Sequence, residues 1–128
     1  MSAEMIEKTV HDYFAAISAL DAEAWVATFA EDGVSHDPVG TPPLVGKEAL
    51  RQFFNAIAGG FEQMHMAADQ MFIVGQSAAV KWSARGTGKN GRAVTFAGID
   101  IFEINEAGKV QNICAYWNPA AMMAELQG

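Results

Sequence analysis

Among the ionisable side chains of this 128-residue sequence, three stand in patterns that suit them to moving a proton or receiving a developing negative charge. The first is Asp100. In the run Ala93 to Ile104, the even positions are Val94, Phe96, Gly98, Asp100, Phe102 and Ile104. A strand with period two places Asp100 on the same face as those apolar side chains. Its neighbours Ile99 and Ile101 are apolar too, so cover is expected on both sides of the strand. A carboxylate there is costly to ionise, so its pKa is raised and the neutral acid becomes a hydrogen-bond donor. An aspartate satisfied by a buried partner, or lying on a wet edge, fits the same pattern equally well.

The second is Asp37, at the end of the short run Val34-Ser35-His36-Asp37, where Pro38 stops an extended conformation from continuing. Asp-Pro is also an ordinary strand-to-turn junction. The third is Tyr13, between Val10 and Ile17 on the apolar stripe of a helix. A buried tyrosine needs a partner for its hydroxyl, although tyrosines on core faces are common. His36, beside Asp37, points to the opposite face by strand alternation. His11 and His65 are isolated, and no spacing suggests a metal site. Cys114 sits mid-strand without an activating neighbour and reads as packing.

The elements that must position these groups are legible from periodicity. Ile6, Val10, Tyr13, Phe14, Ile17 and Leu20 recur at three- and four-residue steps, giving an amphipathic helix from Ser2, its N-cap, to Leu20. Asp21 caps a second helix that buries Trp25, Val26 and Phe29, and Glu31-Asp32-Gly33 ends it in a turn. Val34 to Asp37 is a short strand, and Pro38 to Pro43 is a loop with three prolines and a glycine. A third helix runs from about Lys47 to Ala58, with Leu50, Phe53, Phe54 and Ile57 as its stripe and Gly59-Gly60 as its end. From Phe61 to Trp117 the chain reads as β: Met64 to Val74, Ala78 to Gly88, Ala93 to Ile104 and Lys109 to Trp117. The Asn90-Gly91 pair marks a hairpin. Asn118-Pro119 opens a short last helix.

Helices gathered early and antiparallel strands late predict one α+β domain over residues 1–128. In it a curved, mostly antiparallel sheet is wrapped by three helices from the N-terminal half and a short C-terminal one. Such a sheet can curl around an apolar hollow, the natural ligand site. Composition is 51% hydrophobic and 18% charged, that of a globular chain. Fifteen acidic against eight basic residues give a net charge of −7, which argues against nucleic acid and anionic membranes as partners. One cysteine excludes an internal disulfide. The start of the chain has no basic region before an apolar core, and no apolar run is long enough to span a bilayer, so a cytoplasmic protein is expected.

Five stretches of residues carry a resemblance to a known family. Tyr13-Phe14-Ala15-Ala16-Ile17 is followed by Phe29-Ala30-Glu31-Asp32 and by His36-Asp37-Pro38-Val39-Gly40. Gly98-Ile99-Asp100-Ile101-Phe102 then precedes Gly108-Lys109-Val110. In order and spacing the chain resembles bacterial ketosteroid isomerase, strongest from Tyr13 to Phe54 and from Arg92 to Trp117. The resemblance implies a cone-shaped α+β fold shared with nuclear transport factor 2 and SnoaL-type cyclases, a homodimer and no cofactor. It places Asp37 as the base, with Tyr13 and protonated Asp100 as donors to a dienolate oxygen. That opposed pair of aspartate protonation states is the worked case from which the pattern is borrowed.

Walls of the pocket follow less directly. Trp117 matches an aromatic pocket position of that family. Phe54 stands where some members carry a tyrosine that supports the catalytic one, so that hydroxyl is missing here. On the strand Ala78 to Gly88, burying Lys81 and Arg85 without partners is expensive, so Val80, Trp82, Ala84 and Gly86 are assigned inward. Met66, with Met64 and Met71, can line an adaptable pocket or fill core. The expected partner is therefore an apolar, steroid-like ketone. A SnoaL-like enzyme acting on a polyketide or terpenoid, and a non-catalytic binding module of the same fold, are the competing readings.

Overall fold

A computed structural model describes residues 2–128. Ser2 caps α1 (Ala3–Ser18), its hydroxyl accepting from the Met5 N–H, and Asp21 caps α2 (Ala22–Val26) through the Ala24 N–H. The strand β1 is Phe29–His36, and β2 is only Leu44–Val45. After α3 (Lys47–Ala58) come four long strands, β3 (Phe61–Val74), β4 (Ser77–Gly88), β5 (Ala93–Ile104) and β6 (Val110–Tyr116). Asn118 caps the closing helix α4 (Pro119–Gln127), with proline in its first turn as expected.

One six-stranded sheet has the order β2-β1-β6-β5-β4-β3. β3 to β6 form an antiparallel meander, and β1 joins β6 in parallel, so the sheet is mostly antiparallel. The α+β architecture read from the sequence is the one observed. α1 lays Ile6, Val10, Tyr13 and Phe14 onto the sheet's inner face, where Val80, Trp82, Phe102 and Ile104 are buried. Leu50 and Phe54 of α3 complete this core.

Two expectations need correction. Phe29 does not belong to the second helix, and Glu31-Asp32-Gly33 is not a turn. α2 stops at Val26, the Thr28 hydroxyl bonds back to the Trp25 carbonyl, and the Val110 N–H bonds to the Thr28 carbonyl. Pairing with β6 thus begins at Phe29, and a bulge falls between Phe29 and Val34. Gly33 lies in that bulge. A Cβ there would stand 2.9 Å from the Val110 carbonyl oxygen, so the glycine marks close backbone approach rather than chain reversal.

The second correction concerns the outer face of β5. Ile99 is 46% exposed, so the strand carrying Asp100 is covered on one side only within this chain. Nearby outer-face residues Tyr116 and Phe72 are also exposed. The inner face is as expected: along β5 the even positions turn inward, and Asp100 is 2% exposed. β4 takes the inward register assigned to it, with Val80, Trp82, Ala84 and Gly86 buried and Lys81 and Arg85 exposed.

Candidate active site

The inner face of the sheet and the helices enclose a narrow apolar hollow of about 80 Å³, open to solvent. Tyr13, Asp37 and Asp100 all line it, although they are supplied by α1, the end of β1 and the middle of β5. Trp117, Phe54, Trp82 and Met66 line it as well. The three polar residues and these four wall residues are therefore brought to one cavity, whose remaining walls are almost wholly apolar, whereas Val80, Ala84, Gly86 and Met71 do not line it.

Asp100 is held at the closed end. Its Cα pairs with Val80 of β4 and Ala115 of β6, so it occupies a central strand with no edge to water. Burial, then the charge of Asp37, pushes its pKa up to about 8. At neutral pH it is mainly the uncharged acid, able to donate a hydrogen bond. Tyr13 is 2% exposed and packs edge-on against Phe102, with ring centroids 5.0 Å apart. Its pKa is raised well above the ordinary phenol value by burial and by the nearby Asp100 and Asp37 charges. It too is a donor.

Asp37 is at the rim. β1 ends at His36, the Asp37-Pro38 peptide is cis, and the Val39 N–H bonds the Ala115 carbonyl at 2.9 Å. The half-buried carboxylate accepts a hydrogen bond from the Trp117 indole N–H at 2.6 Å. Desolvation raises its pKa to about 6, while the Trp117 bond acts in the opposite direction. Asp37 is consequently ionised at neutral pH while Asp100 is not. The site holds one carboxylate that can take a proton and two groups that can donate to an oxygen.

Sequence reading missed the tryptophans as polar groups. Trp117 was placed only as a wall, yet it bonds Asp37. Trp25 was placed only as a buried helix residue, yet it lines the hollow, 5.7 Å from Tyr13 and 5.1 Å from Phe54 between ring centroids. The signal was available. A buried indole needs an acceptor for its N–H, and this chain has three tryptophans and few acceptors in its apolar interior. Among the described residues, no group of three His, Cys, Asp or Glu is placed to hold a metal ion. No described helix is long and apolar enough to cross a membrane.

A curved sheet and helices around an apolar hollow, with a few ionisable groups inside it, define a class of small-molecule-pocket α+β proteins. Within that class the chain belongs to the SnoaL-like domain family, whose model matches residues 10–113. It is similar to a steroid Δ-isomerase of Nocardioides simplex, 28% identical over 124 residues, 96% of this chain and 97% of the relative. Two solved structures share the fold. One is the Δ5-3-ketosteroid isomerase from Mycobacterium sp. at 24% identity, with a TM-score of 0.79 over 92% of this chain and 96% of the other. The second is the epoxide hydrolase/cyclase-like enzyme SalBIII of pyran ring formation in the polyether salinomycin. It is also 24% identical, with a TM-score of 0.80 over 95% of this chain and 94% of that one. The resemblance read from the sequence thus agrees with the family, the curated relative and the fold.

Proposed function

We propose that this chain is a cofactor-independent isomerase that moves a β,γ double bond of an apolar ketone into conjugation, with a 3-oxo-Δ5-steroid-like molecule as substrate. The observation that supports this reading is the convergence of Tyr13, Asp37 and Asp100 on one apolar hollow, with the two carboxyls titrating near 6 and near 8. The Asp37 carboxylate removes the α-proton. The C–H electrons form the new double bond toward the carbonyl carbon, and the carbonyl oxygen becomes a dienolate oxygen. Tyr13 and the neutral Asp100 donate hydrogen bonds to that oxygen as its charge grows. Asp37 then returns the same proton at the γ-carbon, so no atom is gained or lost. Trp117, Phe54, Trp82 and Met66 supply apolar walls to the flat substrate.

Adding the protein to a β,γ-unsaturated 3-ketosteroid should produce conjugated-enone absorbance, and Asp37→Asn should abolish it. A folded wild-type protein that turns over none of several such steroids would sink the substrate assignment. The structural similarity to a cyclase-like enzyme of polyether formation favours a second reading, in which the same proton transfer acts on a polyketide-like molecule. Soaking both ligand types and observing which one orders in the hollow separates the two. The homodimer implied by the sequence resemblance has a face to use, since Phe72, Ile99 and Tyr116 expose apolar surface. Sedimentation equilibrium tests it.

A further inference from the structure

Three polar atoms of the cavity wall are sealed from solvent without a hydrogen-bond partner: Asp100 Oδ1, Trp82 Nε1 and Trp25 Nε1. A buried donor or acceptor left unpaired is unusual and destabilising, so each calls for an explanation. Because the two indole nitrogens are sealed, a ligand oxygen cannot reach them. Their acceptors must come from the protein. For Trp82 the nearby acceptor is Asp100, the carboxyl next to it on the inner face.

Backbone geometry brings the pair together. In the ladder between β4 and β5, Trp82 pairs with Gly98 and Val80 pairs with Asp100, so Trp82 and Asp100 are diagonal neighbours on the inner face. Gly98 makes this possible. A Cβ there would stand 2.6 Å from the Trp82 ring and 2.9 Å from Trp117 Cβ, and closer still to the Tyr116 carbonyl oxygen. The glycine therefore leaves the slot in which the indole lies across β5. Phe96 and Trp117 close on the same ring, with centroids 5.8 and 6.1 Å away, and fix its plane.

We propose that Trp82 is a positioning residue that donates its indole N–H to Oδ1 of Asp100 and thereby keeps the acid proton on Oδ2, the oxygen left to face the hollow. The chemistry is restrictive. An oxygen that carries the proton is a poor acceptor, whereas the carbonyl oxygen of the neutral acid accepts readily. An N–H directed at Oδ1 thus selects the form in which Oδ2–H points at the ligand oxygen. Without it, the proton can sit on either oxygen, and half of the neutral acid presents an acceptor where a donor is needed. This assignment rests on the reading that Asp100 donates to a ligand oxygen, but its test needs no turnover.

In the wild-type protein, the Trp82 indole 1H–15N resonance should move downfield as pH rises through the Asp100 titration near 8, because the carboxylate is the stronger acceptor. Trp82→Phe assigns the resonance by its disappearance, and survival of the other two indole signals reports folding. In Trp82→Phe the Asp100 carboxyl, followed by 13C, should titrate higher than in wild type. Asp37 and Tyr13 are the titratable groups facing it, and their influence is common to both proteins. Binding of a phenolic enolate mimic should weaken about twofold, because half of the neutral acid then turns an acceptor toward it. A Trp82 indole signal that ignores the Asp100 titration, or an Asp100 midpoint unmoved by Trp82→Phe, would overturn the assignment. Loss of the isomerase reading would instead appear as absent steroid turnover with these titrations intact.

Discussion

Asp37 and Asp100 are the same residue type in the same cavity, and their surroundings send them to opposite protonation states. At the rim, Asp37 is half-buried, ends a strand and has a formed 2.6 Å bond from Trp117. At the closed end, Asp100 is 2% exposed on a central strand, with its Oδ1 sealed from solvent. Both are raised by desolvation, to about 6 and about 8. An indole opposes the rise at each of them, and the interval comes from the charge of Asp37, which burdens Asp100 once the rim carboxyl has ionised. Whichever carboxyl ionises first penalises the other, and the better-solvated Asp37 does so. A base and an acid can then coexist at neutral pH without any basic residue in the hollow.

The largest effects should come from removing either role outright, and the two ends should fail differently. Asp37→Asn removes the proton carrier and should lower kcat by roughly 10²–10⁴-fold in the enone absorbance assay. It should bind a phenolic enolate mimic no more weakly than wild type, since it deletes a negative charge near the bound oxyanion. Tyr13→Phe should lose on the order of 10²–10³-fold in kcat and should also weaken that mimic. If both variants lost mimic binding equally, the division into a proton-moving rim and an oxygen-binding end would be wrong.

This division was partly visible in the sequence. Period-two alternation through Val94, Phe96 and Phe102 was enough to place Asp100 inward, because a central strand buried on one face cannot slip register without exposing all of them. The stripe around Tyr13 was equally direct. Phe29 was misplaced because apolar spacing continues unbroken from Trp25 and Val26, whereas the strand start depends on Val110, eighty-one positions further on. Exposure of Ile99 was missed for a similar reason. An apolar residue marks a covered face only if something in the chain covers it, and composition does not say what does. The indole contacts were hidden for a third reason: they depend on ring orientation set by Gly98 and by neighbouring aromatic rings, which periodicity does not encode.

A smaller effect tests the closed end alone. Asp100 has a folded pKa near 8 against an ordinary value of 3.8. The folded state therefore holds a proton that the unfolded chain releases over this interval. Its stabilising contribution is complete below about pH 4 and is lost as pH rises toward 8, with a slope of about 1.4 kcal/mol per pH unit. Asp100→Asn cannot ionise and should remove most of that slope. Urea unfolding at pH 5 and pH 8 should show the variant less stable relative to wild type at the lower pH and more stable at the higher. The same substitution should reduce turnover, so stability and activity would move in opposite directions at pH 8. A variant whose stability followed the wild-type pH dependence would place the uptake of protons elsewhere.

The smallest effect probes the rim. In wild type, kcat/KM should rise as Asp37 ionises near pH 6 and fall as Asp100 ionises near pH 8, a bell whose limbs belong to the coupled pair. Trp117→Phe keeps an aromatic wall but removes the donor that stabilises the Asp37 carboxylate, so the acid limb should move to higher pH. On the plateau the rate should change by no more than about threefold, because the ionised base is still present and its basicity is slightly greater. Below the limb the loss should be larger, since less of the base is ionised at each pH. The alkaline limb should hold its place, because Trp117 makes no bond to Asp100 and the phenylalanine keeps an aromatic ring against Trp82. Movement of both limbs together would mean that the indole orders the whole cavity, and that the two aspartates are not independently tuned by their own walls.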